Sequence, residues 1–244
     1  MTQLKKRPKI KSVLKRYNHK GCDTSKGLLR SKSHNYSKGR EFIEEIWDKY
    51  AYYFETHMKA SFYDFYAEMV TGYFLAEKQG FELHNKDTMG NYTNAQDNKH
   101  GPDFKIAEEP IWVECISVED IADEDRIERT LELDSLLNDE QRRIGKMKDL
   151  SLMNPVRAKS KKFRKYIEEN IVSQDDYCVI SLSLHKVAHK MSRGQIKNCL
   201  KDIFEVFEME EIYGVLCFYG DFEQSRSLFV KNPNNKHKNA IFKP

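Results

Sequence analysis

The stretch HGPDFKIAEEPIWVECISVED (residues 100–120) decides the fold, because it holds two short runs of strand-forming residues, PDFKI and PIWVECISV, separated by the turn segment AEEP. Two such runs joined by a turn predict a β-hairpin. Side chains alternate between faces along a strand, so Asp103 and Lys105 share one face of the first strand, and Trp112 and Glu114 share one face of the second. The hairpin can therefore bring the carboxylates of Asp103 and Glu114 together.

The paired acids are a candidate metal site. Two converging carboxylates repel each other, and a divalent cation removes that repulsion; Mg²⁺ in particular takes one or two carboxylates together with waters and substrate phosphates. Glu114 is flanked by Trp112, Val113, Cys115 and Ile116, so we expect it to be at least partly buried, and a buried charge needs a partner or a function. The alternative is an ordinary Pro-Asp turn and a glutamate that faces solvent at a sheet edge.

The rest of the chain alternates helical and strand patterns. Residues 41–80 carry apolar residues at helical spacing and predict two helices, the second ending at Gly80. Asn154 and Pro155 predict the N-cap and first turn of a later helix. The remaining predicted elements are a strand at FELHNK (81–86), a helix within 119–153, a strand at YCVISLSL (177–184), a helix at QIKNCLKDIFEVFE (195–208) and a strand at IYGVLCFYG (212–220). This order predicts an α/β fold with a mixed β-sheet flanked by helices.

Charge is distributed unevenly along the chain. Residues 1–40 hold thirteen Lys or Arg against one acid, Asp23, whereas the other 204 residues hold 28 basic and 37 acidic groups. Residues 1–40 therefore read as a basic, flexible arm, and residues 41–244 as one α/β domain with its core at about 60–220. Such an arm either binds a polyanion such as DNA through counterion release or is a solvated tail. The candidate nucleic-acid contacts in it are Lys5, Lys6, Arg7, Lys9, Lys11, Lys15 and Arg16.

A cytoplasmic location is expected from three features. No apolar run approaches the roughly 20 residues of a membrane-spanning helix, and the first residues carry charge where a signal peptide needs an apolar segment. The five cysteines include no CxxC pair, which argues against a disulfide framework and a zinc ribbon. At the other end, KNPNNKHKNAIFK (231–243) is basic, and it either contacts nucleic acid or, in the preferred interpretation, is a plain exposed terminus.

Pro102-Asp103 before the first hairpin strand and Glu114-Cys115-Ile116 in the second resemble the motif of the PD-(D/E)xK nucleases, which share the restriction-endonuclease-like fold. The order of elements over roughly residues 60–220 is similar as well, with a helical extension before it. The resemblance implies that Asp103 and Glu114 bind one or two Mg²⁺ (or Mn²⁺) ions, assisted by the Cys115 carbonyl. It also implies that an upstream helical acid, here Glu68, completes the metal site.

The sequence departs from the family motif at Ile116, where the family has a lysine. That lysine orients the attacking water and stabilises charge on the phosphate. One interpretation is that another cation has taken its place, and the candidates are Lys105, Lys159 and Lys162, with Lys159 preferred. The other is that catalysis has been lost.

Two functions are therefore expected. The first is a Mg²⁺-dependent nuclease, a DNA endonuclease of restriction or defence type, with Asp103, Glu114, Glu68 and Lys159 as its site and a homodimer suited to double-strand cutting. The second is an inactive module of the same fold that uses its basic arm and the hairpin groove to bind nucleic acid or a protein partner. A lysine ammonium beside the paired acids favours the enzyme, and an apolar wall around Ile116 favours the binding module.

Overall fold

A computed structural model of the 244-residue chain describes residues 62–84, 101–118, 150–185, 191–220 and 225–242. The predicted basic arm and helical extension lie outside these residues, as do nearly all of residues 119–153. The described elements, in chain order, are helix α1 (Phe62–Tyr73) continued by a π-helical turn (Phe74–Lys78), strands β1 (Phe104–Lys105) and β2 (Ile111–Ser117), helix α2 (Leu150–Glu168), strand β3 (Tyr177–Ser183), helix α3 (Arg193–Val206), and strands β4 (Ile212–Tyr219) and β5 (Arg226–Lys231).

The five strands form one mixed sheet in the order β1-β2-β3-β4-β5. β1 and β2 are the predicted antiparallel hairpin, with Phe104 opposite Val113. The three central strands β2, β3 and β4 are parallel, because α2 and α3 supply the long crossover connections that parallel strands require. β5 pairs antiparallel with β4 at the far edge. The predicted α/β class and mixed sheet are confirmed.

Helices cover both faces of the sheet. On one face, Tyr66 and Met69 of α1 pack in a buried cluster with Val113 of β2. On the opposite face, Phe163 of α2 packs with Trp112 and with α3. The central strands are buried on both sides, which explains their nearly continuous apolar sequences. The face covered by α1 is called the α1 face below, and the other the α2 face.

Several predicted element boundaries were wrong. α2 begins at Leu150, so Asn154 and Pro155 lie inside the helix and not at its start. Pro155 is the sixth residue of α2, where a proline removes the hydrogen bond to the carbonyl four residues earlier, and the helix continues beyond it. The predicted strand at FELHNK contributes, within its described part, a single antiparallel bridge from Leu83 to Ile106. β5 was not predicted, because its first two residues, Arg226 and Ser227, are exposed and polar.

The segment after β5 is held against the domain and is not a plain exposed terminus. The amide of Asn232, which is fully buried, donates to the carbonyl oxygens of Met209 and Ile212 at 2.8 and 2.9 Å. Asn235 donates in the same way to the Glu210 carbonyl at 2.6 Å. These bonds satisfy backbone carbonyls in the connection between α3 and β4, which explains why an asparagine-rich sequence occurs there.

Candidate functional site

The hairpin brings Asp103 and Glu114 together. The pairing of Phe104 with Val113, extended by one residue, puts Asp103 directly opposite Glu114. Residues directly opposite each other in an antiparallel pair project from the same face of the sheet. Both carboxylates also act on the phenol of Tyr166, which belongs to α2, so both lie on the α2 face. The predicted juxtaposition of the two acids is therefore present.

The backbone of β2 holds the aspartate in place. The Cys115 N–H donates to Asp103 Oδ2 at 2.7 Å. In a paired strand, the N–H and the C=O of one residue point toward the same neighbouring strand. The Cys115 carbonyl therefore points to the side of β2 on which Asp103 lies.

Glu114 is the most enclosed charge of the site. Its side chain is 0% exposed, and its Oε1 accepts from Lys159 Nζ at 2.7 Å and from Lys162 Nζ at 2.5 Å. The Lys159 side chain is 15% exposed and that of Lys162 is 46% exposed. Both predicted lysine substitutes on α2 thus reach the glutamate, and both reach the same oxygen. A carboxylate can be buried here because two cations compensate its charge.

Tyr166 is a member of the site that the sequence did not indicate. Its hydroxyl donates to the Gly101 carbonyl at 3.2 Å and lies 3.5 Å from Glu114 Oε2. Burial, followed by the negative charges of Glu114 and Asp103, raises the pKa of the Tyr166 phenol. The phenol stays neutral and links the segment before Asp103 to Glu114. Its seven-residue spacing from Lys159, two helical turns, was the one signal that could have identified it.

Lys105, the remaining lysine candidate, is engaged at the hairpin turn. Its ammonium donates to the Glu109 carbonyl and lies 5.2 Å from the centre of the Trp112 ring. Burial lowers the pKa of Lys105. Of the three candidates, Lys159 and Lys162 contact Glu114 in this structure.

An open groove of about 1150 Å³ runs beside the hairpin, on the Trp112 side of the site. Its lining includes one lysine and five acids, Glu108, Glu109, Glu168, Asp175 and Asp176. An excess of negative charge repels phosphates, so this groove disfavours the nucleic-acid binding that we expected of a hairpin groove in an inactive module.

Glu68 does not lie beside Asp103 and Glu114. It is 3% exposed on α1, and the hydroxyl of Thr71 on the same helix lies 2.7 Å from Ser181 Oγ. Ser181 is the register partner of Cys115, so α1 covers the face opposite to that of Glu114. Within the described ranges, no three His, Cys, Asp or Glu side chains form a group that could hold a metal ion.

The chemistry of the paired donors nevertheless suits a hard cation. Two carboxylates and a backbone carbonyl on the same side of β2 are all oxygen donors, and Mg²⁺ needs no more than one or two carboxylates because waters and substrate oxygens complete its shell. The charges set one condition. With both lysine ammonium groups on Glu114, the four charged groups already sum to zero, so a cation has to compete for this oxygen.

The seven candidate nucleic-acid contacts between Lys5 and Arg16 lie outside the described residues. Among the residues that are described, no helix has the length and apolar character that crossing a membrane requires. No family model matches the chain, and no curated protein and no solved structure matches it significantly.

Proposed function

We propose that this protein is a metal-dependent phosphodiesterase that cleaves nucleic acid, with DNA as its substrate, on a restriction-endonuclease-like fold. The observation that carries the proposal is the contact of Lys159 with Glu114, because it supplies a cation beside the paired acids where Ile116 cannot. The same lysine compensates the buried charge of Glu114, and from that position its ammonium can also act on a bound water or phosphate. The element order helix, hairpin, helix, strand supports the same fold assignment.

Asp103, Glu114 and the Cys115 carbonyl are the groups that hold the metal in this proposal. These groups would hold a Mg²⁺ ion, and the chemistry that such an ion would supply is polarisation of the scissile phosphate and a lowered pKa of a coordinated water. The chain prepares these groups in advance, because the Cys115 N–H fixes one oxygen of Asp103 and Tyr166 lies between Gly101 and Glu114. Preorganised groups of this kind need no rearrangement during the reaction.

Lys159 is the proposed catalytic lysine. Its side chain is 85% buried, so its ammonium acts in a region of reduced solvent screening. From its place beside Glu114 it would donate to the attacking water or to a non-bridging phosphate oxygen, and so stabilise the negative charge that develops there. Removing one such donor lowers turnover by a factor on the order of 10² to 10³.

The test is cleavage of plasmid DNA, single-stranded DNA and RNA with Mg²⁺, Mn²⁺ or EDTA. The variants are Asp103→Asn, Glu114→Gln and Lys159→Ala, and Glu108→Gln is the matched control because it removes an exposed acid from the same hairpin. We expect metal-dependent cutting by the native chain and by Glu108→Gln. Lys159→Ala should be slower by at least roughly 100-fold, and both acid variants should be inactive.

The result that would contradict the enzyme is a well-folded native chain that cuts no substrate with any metal. If the same protein still binds DNA in a salt-dependent way, it is the binding module, and the Glu114 ion pairs then have a structural role only. Circular dichroism of each variant distinguishes a lost activity from a lost fold.

A further inference from the structure

The two lysines on Glu114 form an unusual arrangement of charges. Lys159 Nζ and Lys162 Nζ lie 2.7 and 2.5 Å from the same Oε1 atom, so the two nitrogens are no more than 5.2 Å apart. Two ammonium groups at such a distance repel each other, and the carboxylates of Glu114 and the nearby Asp103 offset that repulsion. Adding a divalent cation at the same carboxylates would raise the net charge of the group, with the ion included, from zero to +2. This excess of positive charge favours the departure of one lysine ammonium from Glu114.

The two lysines differ in how easily they can leave. Lys159 is 15% exposed, so moving its ammonium away from Glu114 would give it little solvent in place of the ion pair. Lys162 is 46% exposed and lies at the open side of α2, 5.5 Å from the centre of the Tyr166 ring. Such a movement costs little free energy, because the aliphatic part of a long side chain can stay on the protein while its ammonium enters water. Lys162 is therefore the exchangeable partner.

We propose that Lys162 is an exchangeable counter-ion: it occupies on Glu114 the position that a divalent cation takes, and once displaced it binds a phosphate of the nucleic-acid substrate next to the one that is cleaved. This assignment rests on the proposed function and deepens it, because it assigns the roles of the missing motif lysine to two residues. Lys159 stays at the reacting phosphate, and Lys162 moves from an acid to the substrate backbone when the metal binds.

The first experiment measures metal affinity without any reaction. Mg²⁺ and Mn²⁺ are titrated into the full chain by calorimetry, for the native protein, Lys162→Ala, Lys162→Gln and Lys161→Ala. Lys161→Ala is the matched control, because Lys161 is an exposed lysine on the same helix and its substitution removes the same charge. Lys162→Gln keeps a hydrogen-bond donor if the alanine variant does not fold.

We expect both Lys162 variants to bind the metal roughly tenfold more tightly than the native chain, since the competing ammonium is gone, while Lys161→Ala changes affinity by less than about twofold because an exposed charge is screened. Unchanged or weaker metal binding by the Lys162 variants would overturn the exchange. Equal gains for Lys161→Ala would overturn it as well, because a general charge effect would then explain the result.

The second experiment measures DNA binding as a function of salt, once with Ca²⁺, which takes oxygen ligands as Mg²⁺ does, and once with EDTA. In Ca²⁺, Lys162→Ala should lower the slope of log affinity against log salt by about one relative to the native chain, because one phosphate contact is lost. In EDTA the two slopes should agree, because Glu114 retains Lys162. The same slope difference in both conditions would overturn the phosphate contact.

Failure of this inference and failure of the proposed function give different results. If the native chain cleaves DNA but the Lys162 variants bind metal no more tightly, the enzyme stands and the exchange is wrong. If the chain neither binds nor cleaves nucleic acid, the function and the phosphate contact are both wrong. The exchange on Glu114 is in that case decided by the metal titration alone.

Discussion

Replacing Glu114 by glutamine should destabilise the fold by about 3 kcal/mol, because removing one partner of a buried ion pair leaves the other charge uncompensated. Glu114 is fully buried and Lys159 is 15% exposed, so that lysine cannot regain most of its hydration. Glutamine preserves the shape of the side chain, so no cavity adds to the effect. For a chain of this length, such a loss lowers the melting temperature by roughly 6 to 12 °C.

The physical cause can be isolated with a second substitution. In the Glu114→Gln background, Lys159→Met replaces the stranded ammonium by an apolar group of similar length. Buried ion pairs replaced by apolar residues are often neutral or stabilising. We therefore expect the double variant to recover to within about 1 kcal/mol of the native chain, although two substitutions in a core normally accumulate their losses.

The assay is urea-induced unfolding at 25 °C and pH 7 in EDTA, which removes any stabilisation by bound metal. Lys161→Met is the control, because it places the same substitution at an exposed position of the same helix, and it should change the free energy of unfolding by less than about 0.5 kcal/mol. A loss below about 1 kcal/mol for Glu114→Gln, or a double variant less stable than the single one, would refute the reasoning.

Two further predictions concern groups outside the ion pairs. The pKa values of Tyr66 and Tyr166 are raised, mainly by burial, so both phenols should stay protonated above pH 10 while the chain is folded. In the unfolded chain the same phenols lose their protons near pH 10, so the free energy of unfolding should fall as the pH rises above about 10. Alkaline titration at 295 nm alongside melting curves checks this. Asn232→Ala should destabilise the protein by about 2 to 3 kcal/mol in urea unfolding, since two buried carbonyls lose their donor, whereas substitution of the exposed Asn198 by alanine should be nearly neutral.

Patterns within single segments predicted the sheet, because the spacing of apolar residues reflects the period of a strand or a helix. The runs at 110–118, 177–184 and 212–220 were all correctly assigned as strands. The same kind of information failed at Pro155, since proline favours the first turn of a helix, whereas in α2 it lies at the sixth position. It also failed at β5, where the exposure of an edge strand removed the apolar signal.

The pairing of Asp103 with Glu114 was determined by the sequence alone, because a short hairpin joins neighbouring residues and alternation fixes the face on which each lies. The cations that meet Glu114 were decided by the tertiary structure. Lys159 lies 45 residues from Glu114 along the chain and Lys162 lies 48, so their contacts depend on how the crossover helix α2 packs on the sheet. No local period encodes that rotation of a helix against strands, and it is what places two lysines on one oxygen and Tyr166 beside them.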